Sequence, residues 1–358
     1  MSSVAASGLA AVAERHRRRS IFAISALAVG FVAIFLLSVG WGAVPIPPGQ
    51  VVAILAEPLG LDLPWAFDTR ESTVLLAIRL PRAVLAVLTG AALAVSGAAL
   101  QGLFRNPMAD PALIGVSNGA ALAAVGVIVL GVGTGVFGLY ALPAAAFVGG
   151  LVATVIVYRI ASRGGRTEIA TMLLAGIAIN AMAAAGIGML IFISDDRQLR
   201  ELNFWLLGGL GGVTWEKLLP AVPFVLLAVV VIPLLARRLN ALLLGETEAL
   251  HLGFHVENTK RLIVTLAALA TGGTVALTGV IGFVGLVVPH LVRLLIGPDH
   301  RILLPASILL GAGLMLLADL FARTIVLPAE LPVGILTSCV GGPFFIWLLV
   351  RYRAIGGW

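Results

Sequence analysis

Charge is scarce in this chain, and lysine and cysteine are scarcer still. Asp, Glu, Lys and Arg make up 11% of its 358 residues and apolar side chains 60%, where a soluble domain carries about 25% charged residues. A soluble fold of this length has no interior large enough for that much apolar surface, so lipid must solvate most of it. Lys217 and Lys260 are the only lysines. They follow Glu216 and Thr259 rather than glycine, which excludes a G-x-x-x-x-G-K-[ST] phosphate loop and ATP binding by that route. The single cysteine, Cys339, excludes a disulfide within the chain and reads as a small core residue of an apolar stretch. The five histidines (16, 251, 255, 290 and 300) are scattered. His251 and His255 share a helical spacing but have no third ligand nearby, so no metal site is expected. The net charge of +6 comes from arginines dispersed over short loops, a distribution that sets membrane topology rather than tracking nucleic acid. A cleaved signal peptide is not expected either, because Ser20 to Ala56 is uncharged for 37 residues, longer than a signal core.

What the chain does have is long apolar runs. With roughly 20 apolar residues needed per crossing, ten spans are predicted near 20–43, 78–104, 111–131, 138–160, 168–193, 216–236, 262–278, 281–297, 302–321 and 332–350. Gly279 and Gly282 offer the break inside the uncharged stretch 262–289. The fold class is therefore an all-α polytopic membrane protein with one membrane domain, 20–350, between a basic tail at 1–19 and a short tail at 351–358. If the N-terminus is cytoplasmic, the inner side collects 16 of the 23 basic residues. These are Arg15, Arg17, Arg18, Arg19, Arg105, Arg159, Arg163, Arg166, Arg237, Arg238, Lys260, Arg261, Arg293, Arg301, Arg351 and Arg353. That asymmetry predicts both termini inside and an even number of spans. The inner loop 237–261 contains Leu242–Phe254, which reads as a short amphipathic helix with Leu243, Leu250 and Phe254 at helical spacing. An outer loop, 194–215, carries Asp195, Asp196, Arg197 and Arg200.

A polar break interrupts the apolar pattern at 101–119, Gln-Gly-Leu-Phe-Arg-Asn-Pro-Met-Ala-Asp-Pro-Ala-Leu-Ile-Gly-Val-Ser-Asn-Gly. Asn106-Pro107 ends one helix, Asp110 caps the next and Pro111 occupies its first turn. This break, with Arg79-Leu80-Pro81-Arg82 before it, resembles a signature of the permeases that import vitamin B12, haem and iron-siderophores (FecCD-type, type II ATP-driven importers). Further matches follow in order. They are Leu244-Gly245-Glu246 with Ala249 and Leu252-Gly253, Gly282 to His290, Asp299-His300-Arg301, Ala318-Asp319 with Ala322-Arg323, and Glu330 to Gly334. The likeness covers nearly all of 72–350.

The resemblance implies a homodimer of ten-span chains enclosing the translocation pathway in a bacterial inner membrane. It also implies two separate ATPase subunits that use ATP and magnesium, a periplasmic binding protein, and no cofactor held by this chain. It puts ATPase coupling on Leu244, Gly245, Glu246, Ala249, Leu252 and Gly253, and binding-protein docking on the outer arginines Arg79, Arg82 and Arg323. The residues alone also allow an interfacial helix on lipid for the first set and snorkelling anchors for the second. The inner gate falls at Ile169 and Ala170, more apolar than the small hydroxyl residues of the vitamin B12 relatives, which suits a hydrophobic cargo. Asn180 and Met182 are candidate pathway residues on the small-residue-rich fifth span.

Two other function classes set the contrast. An ion-coupled secondary transporter needs ionisable groups at mid-membrane, for which Asp319 and His290 are the only candidates. A membrane-embedded enzyme would use Asp195, Asp196 or His290, without a convergent base or metal cluster. For cargo, the stretch Leu174 to Asn180 with Asp195-Asp196, Leu199-Arg200 and Phe204-Trp205 resembles the haem branch, with ferric siderophore and vitamin B12 as alternatives.

Overall fold

The computed structural model describes residues 2–42, 44–132, 138–326 and 328–354, so the last four residues of the 351–358 tail lie outside the described residues. The described chain is helical apart from one two-stranded hairpin. α1 spans Ser2–Gly40, which carries residues 2–19 and most of the first apolar run in one helix. α2 (Pro48–Ala56) and α3 (Thr69–Thr73) follow, the latter started by a capping box between Asp68 and Glu71. A π-type stretch, Val74–Arg79, leads into α4 (Leu80–Phe104). A 3-10 turn at Pro111–Ile114 precedes α5 (Val116–Leu130), and α6 is Gly138–Ala161. The hairpin pairs β1 (Ser162–Arg163) with β2 (Arg166–Thr167), turning through Gly164 and Gly165 at positive φ. Then come α7 (Ile169–Phe192), α8 (Asp196–Leu206), α9 (Trp215–Leu218), α10 (Val222–Leu234), α11 (Ala236–Leu244), α12 (Glu246–His251) and α13 (Val256–Thr278). α14 (Val284–Ile296), α15 (His300–Ala322) and α16 (Val333–Ala354) complete the chain.

α4 is the axis of the bundle. It packs on α15, α13, α14 and α10, and nearly every side chain from Ala83 to Phe104 is buried. Lipid tails are as apolar as leucine, so burial gives helices no hydrophobic reason to associate, and close van der Waals packing of small residues must supply it. The Ala- and Gly-rich sequence of α4 does this. A Cβ on Gly90 would lie 2.1 Å from the Gly311 carbonyl oxygen of α15, and one on Gly97 would lie 1.9 Å from that of Gly285 in α14. α15 runs antiparallel to α4: its first residue, His300, reaches Gly102, and its last turn brings Asp319 back to Arg82.

All ten predicted apolar segments contain helix, but among the described residues only seven helices are long and apolar enough to cross a membrane. An eighth crossing results if α10 and α11, bent by 55° at Leu235, form one span. The expected ten full-length crossings are thus not all seen. α5 has 15 residues and α14 has 13, roughly 20 Å at 1.5 Å per residue against about 30 Å of hydrocarbon. The cause is local. Asp110 caps as expected, accepting from Ala112 N at 2.9 Å, but Gly115 at φ 82 separates the 3-10 turn from α5. Likewise α13 stops before Gly279 (φ 70), and Phe283, also at positive φ, delays the start of α14.

Candidate functional site

The predicted amphipathic helix at 242–254 is two short helices. Gly245 sits at φ 129, ψ 156, where only glycine is at ease, and the chain turns there from α11 into α12. Gly253 at φ 84 closes α12, with Phe254 N donating to Ala249 O. Leu244, Leu250 and Leu252 are 68%, 58% and 59% exposed, whereas Ala249 is fully buried. The result is a small element with a buried foot and an apolar, outward-facing crown. Exposed leucines flanked by Glu248 and His251 on a rigid turn suit a protein groove better than water.

Glu246 is not part of that crown, because it anchors the element. Its Oε2 accepts from Lys260 Nζ at 2.8 Å. Lys260, the fifth residue of α13, is 1% exposed. It also donates to Glu257 Oε1 at 3.0 Å and to the Thr167 carbonyl at 2.8 Å. Glu257 Oε2 accepts from Thr167 N at 2.9 Å. An ammonium has three donors, and here all three are used, as burial of a charge requires. In the sequence Lys260 stands out only as a topology charge, and Glu257 and Thr167 do not stand out at all. The i, i+3 acid–lysine spacing at a helix start was the available signal.

The arginines expected to dock a partner, Arg79, Arg82 and Arg323, are correspondingly turned inward. Arg82 Nε donates to Asp319 Oδ1 at 2.8 Å, and its Nη1 reaches Glu330 at 2.8 and 3.0 Å. Arg323 Nε lies 3.5 Å from Asp319 Oδ2. Arg323 also donates to the carbonyls of Trp41 (2.9 Å) and Ser38. Arg79 donates to the carbonyls of Val39 (3.0 Å), Gly40 (2.9 Å) and Val44. The last carbonyls of a helix have no partner within it and carry its negative dipole end. Two arginines therefore close the end of α1, and a third joins α4 to α15. This explains why they break the positive-inside trend. Exposed cations are instead Arg70, Arg197 and Arg200.

The four gate and pathway candidates divide. Ile169 packs against the main core, and Asn180 Nδ2 donates to the Ala112 carbonyl at 3.0 Å. Ala170 and Met182 are exposed. Met182 belongs to a stripe of exposed apolar residues along α7, with Leu174, Ile177, Ala178, Ala181, Ala185, Met189 and Phe192. The opposite face of α7 is drawn tightly onto the 111–114 turn, where a Cβ on Gly176 would lie 1.8 Å from the Leu113 oxygen.

The remaining chemical candidates have structural roles. Asp195 caps α8 in a capping box with Gln198, and Asp196 lies in its first turn. Asp319 is held between two arginines near the end of α15. Among the described residues no group of three or more His, Cys, Asp or Glu side chains could hold a metal ion.

Comparison with known proteins agrees with the ordered motifs. The model of the FecCD transport family matches residues 30–351. This chain belongs to the FecCD transport family. It is 49% identical to the hemin transport system permease protein HmuU of Yersinia pestis over 292 residues, 81% of this chain and 87% of that one. It is 45% identical to a cobalamin import system permease protein of Halobacterium salinarum, over 82% of this chain and 77% of the relative. A vitamin B12 import system permease protein of Klebsiella pneumoniae is 39% identical over 97% and 98% of the two chains. Among solved structures, an inward-facing metal-chelate type ABC transporter superposes with a TM-score of 0.79 at 33% identity, covering 92% of this chain and 98% of that one. The chain is thus a multi-pass permease of the ABC importer class. The relatives are transport subunits rather than enzymes, and the ATPase of such a system is a separate partner.

Proposed function

We propose that this permease carries haem from the periplasm to the cytoplasm, as a homodimer in a bacterial inner membrane. The observation that carries the cargo assignment is the 49% identity spread over most of a hemin permease, above the 45% and 39% to cobalamin and vitamin B12 permeases. The apolar stripe on α7 supports it. Two copies of α7 face to face would line a conduit of alanine, leucine and methionine, suited to a flat hydrophobic cargo that must not stick. In this reading ten segments cross, both termini are cytoplasmic, and Ala170 and Met182 line the path. Ile169 and Asn180 fix α7 from behind.

The crown of Leu244, Leu250 and Leu252 rests in a cleft of the ATPase, which uses ATP and magnesium. Gly245 and Gly253 shape it, and Ala249 and Glu246 hold its foot. Docking of the periplasmic binding protein falls to exposed charges such as Arg197 and Arg200, since cross-interface pairs set register and on-rate.

The test is growth of an iron-starved deletion strain on haem as sole iron source, with plasmid rescue. Loss of growth on haem with siderophore use intact is expected. Normal growth on haem, in a strain with no second haem route, would sink the haem assignment in favour of a ferric siderophore or vitamin B12.

A further inference from the structure

Lys260 joins three pieces of chain that are distant in sequence. Through Glu246 it holds the foot of α12. Through the Thr167 carbonyl, and through Glu257 on the Thr167 amide, both backbone polar groups of Thr167 are clamped to α13. Thr167 is buried and also fixed by its side chain. Its Oγ1 donates to Tyr158 Oη at 3.0 Å and lies 2.9 Å from Ser162 Oγ. Two residues later α7 begins, so Thr167 lies just before Ile169 and Ala170, with only Glu168, whose N donates to Ala161 O at 3.0 Å, between them. Beside this junction lies an open cavity of about 580 Å³ with a mixed lining, Ile160, Ala161 and Ile169 beside Arg163, Arg166 and Glu168.

A clamp on a backbone transmits displacement in a way that a side-chain contact does not, because the peptide cannot rotate out of it. The cavity leaves the hairpin room to move with the clamp. The three hydrogen bonds of one ammonium therefore form a short mechanical path from α12 to the start of α7, with no intervening layer of soft apolar packing.

We propose that Lys260 is a positioning residue of the transport cycle, tying α12 to the backbone of Thr167 so that movement of the one shifts the start of α7. This rests on the reading of 244–253 as the ATPase-docking element, and the experiment separates the two. The complete transporter, permease with its ATPase and binding protein, is reconstituted in proteoliposomes. Four variants are compared: Leu250→Asp, Lys260→Met, Lys260→Arg, and the charge-free triple Glu246→Gln/Glu257→Gln/Lys260→Met.

Leu250→Asp tests docking, and the expected result is loss of ATPase co-purification. If the ATPase still co-purifies, the docking reading falls. Lys260→Met tests the tie. The ATPase is expected to co-purify still, while haem moved per ATP hydrolysed falls about tenfold or more, within the usual range of coupling between sites. Lys260→Arg is expected to recover part of that ratio, because it restores a buried cation to the two glutamates. The triple variant removes the charges that Lys260→Met would strand, and the ratio is expected to stay low in it. An unchanged ratio in assembled Lys260→Met overturns the proposal and leaves the docking reading intact. Failure of Lys260→Met and of the triple variant alike to assemble also overturns it, since Lys260 would then hold the fold rather than the coupling.

Discussion

At one end of the bundle Arg82, Asp319 and Arg323 join the long helices α4 and α15 and close the end of α1, while Lys260 joins a six-residue helix to a hairpin through a single ammonium. Both clusters bury a charge almost fully: Asp319 and Lys260 are each 1% exposed. They differ in what surrounds it. Asp319 has two guanidiniums beside it, both mostly buried, on helices locked by glycine contacts. Lys260 has two carboxylates that remain about a third exposed, one on the six-residue α12 and one at the solvent-facing start of α13. A charge whose partners are also buried cannot be relieved by water when one of them is lost. A charge whose partners reach the surface can. The first cluster is built to hold a scaffold still, and the second sits where a small element and its neighbours keep access to solvent.

The sharpest way to break this contrast is Asp319→Ala. It leaves the mostly buried Arg323 without a carboxylate and takes one of two from Arg82, and breaking a buried pair from one side costs about 3–5 kcal/mol. Glu330, which is half exposed, is left to Arg82 alone. Thermal unfolding in detergent is expected to show a large loss for Asp319→Ala, with Glu330→Gln near wild type because exposed partners contribute about 0–1 kcal/mol. Equal losses for the two would mean that burial of the partners does not govern these clusters. Next in size is Gly90→Ala. The added Cβ would meet the Gly311 backbone at 2.1 Å, so α4 and α15 must part, at an overpacking cost of about 1–3 kcal/mol. The same thermal assay reads it. If Gly90→Ala is neutral, close backbone contact is not what keeps the Arg82 cluster in register.

Much of the fold was legible because it is local. The apolar runs marked where helices form, Asp110 and Pro111 marked a helix start, and Gly279 marked a break, each by the chemistry of one or two adjacent residues. The lengths of α5 and α14 were not legible. Gly115 and Phe283 adopt left-handed backbone angles that hydropathy does not encode, and Phe283 is not a residue from which such an angle is anticipated. The same holds for the two charge clusters. Arg82 and Asp319 are 237 residues apart, and Lys260 and Thr167 are 93 apart. Nothing in a charge count reveals that an arginine at a helix start points into the bundle rather than out of it. The 242–254 element was half legible. Its apolar spacing predicted helix, but Gly245 was read as a motif letter, when its φ of 129 is what divides the helix and raises the leucines.

Asp299 supplies the smallest effect and separates charge pairing from hydrogen bonding as the reason a carboxylate stays ionised. It precedes α15, and its Oδ1 accepts from Arg301 N at 3.0 Å and Asn240 Nδ2 at 2.6 Å. Partial burial pushes its pKa up, but those hydrogen bonds and the nearby Arg301 charge outweigh it, and the carboxyl ends below its ordinary value. A depressed folded-state value means that the unfolded chain binds the proton first. The stabilisation is then complete above the unfolded carboxylate value of about 3.9 and is lost as pH falls through the folded one. Asp299→Asn keeps an acceptor oxygen for both donors but has no charge to lose. Thermal midpoints of wild type and Asp299→Asn, measured from pH 7 downward, are expected to differ by a small constant amount and then converge in acid. Because every other carboxylate is common to both proteins, the difference isolates this one. If the gap instead widens as pH falls, Asp299 is held by burial rather than by its donors, and its resemblance to the solvent-reaching glutamates around Lys260 is lost.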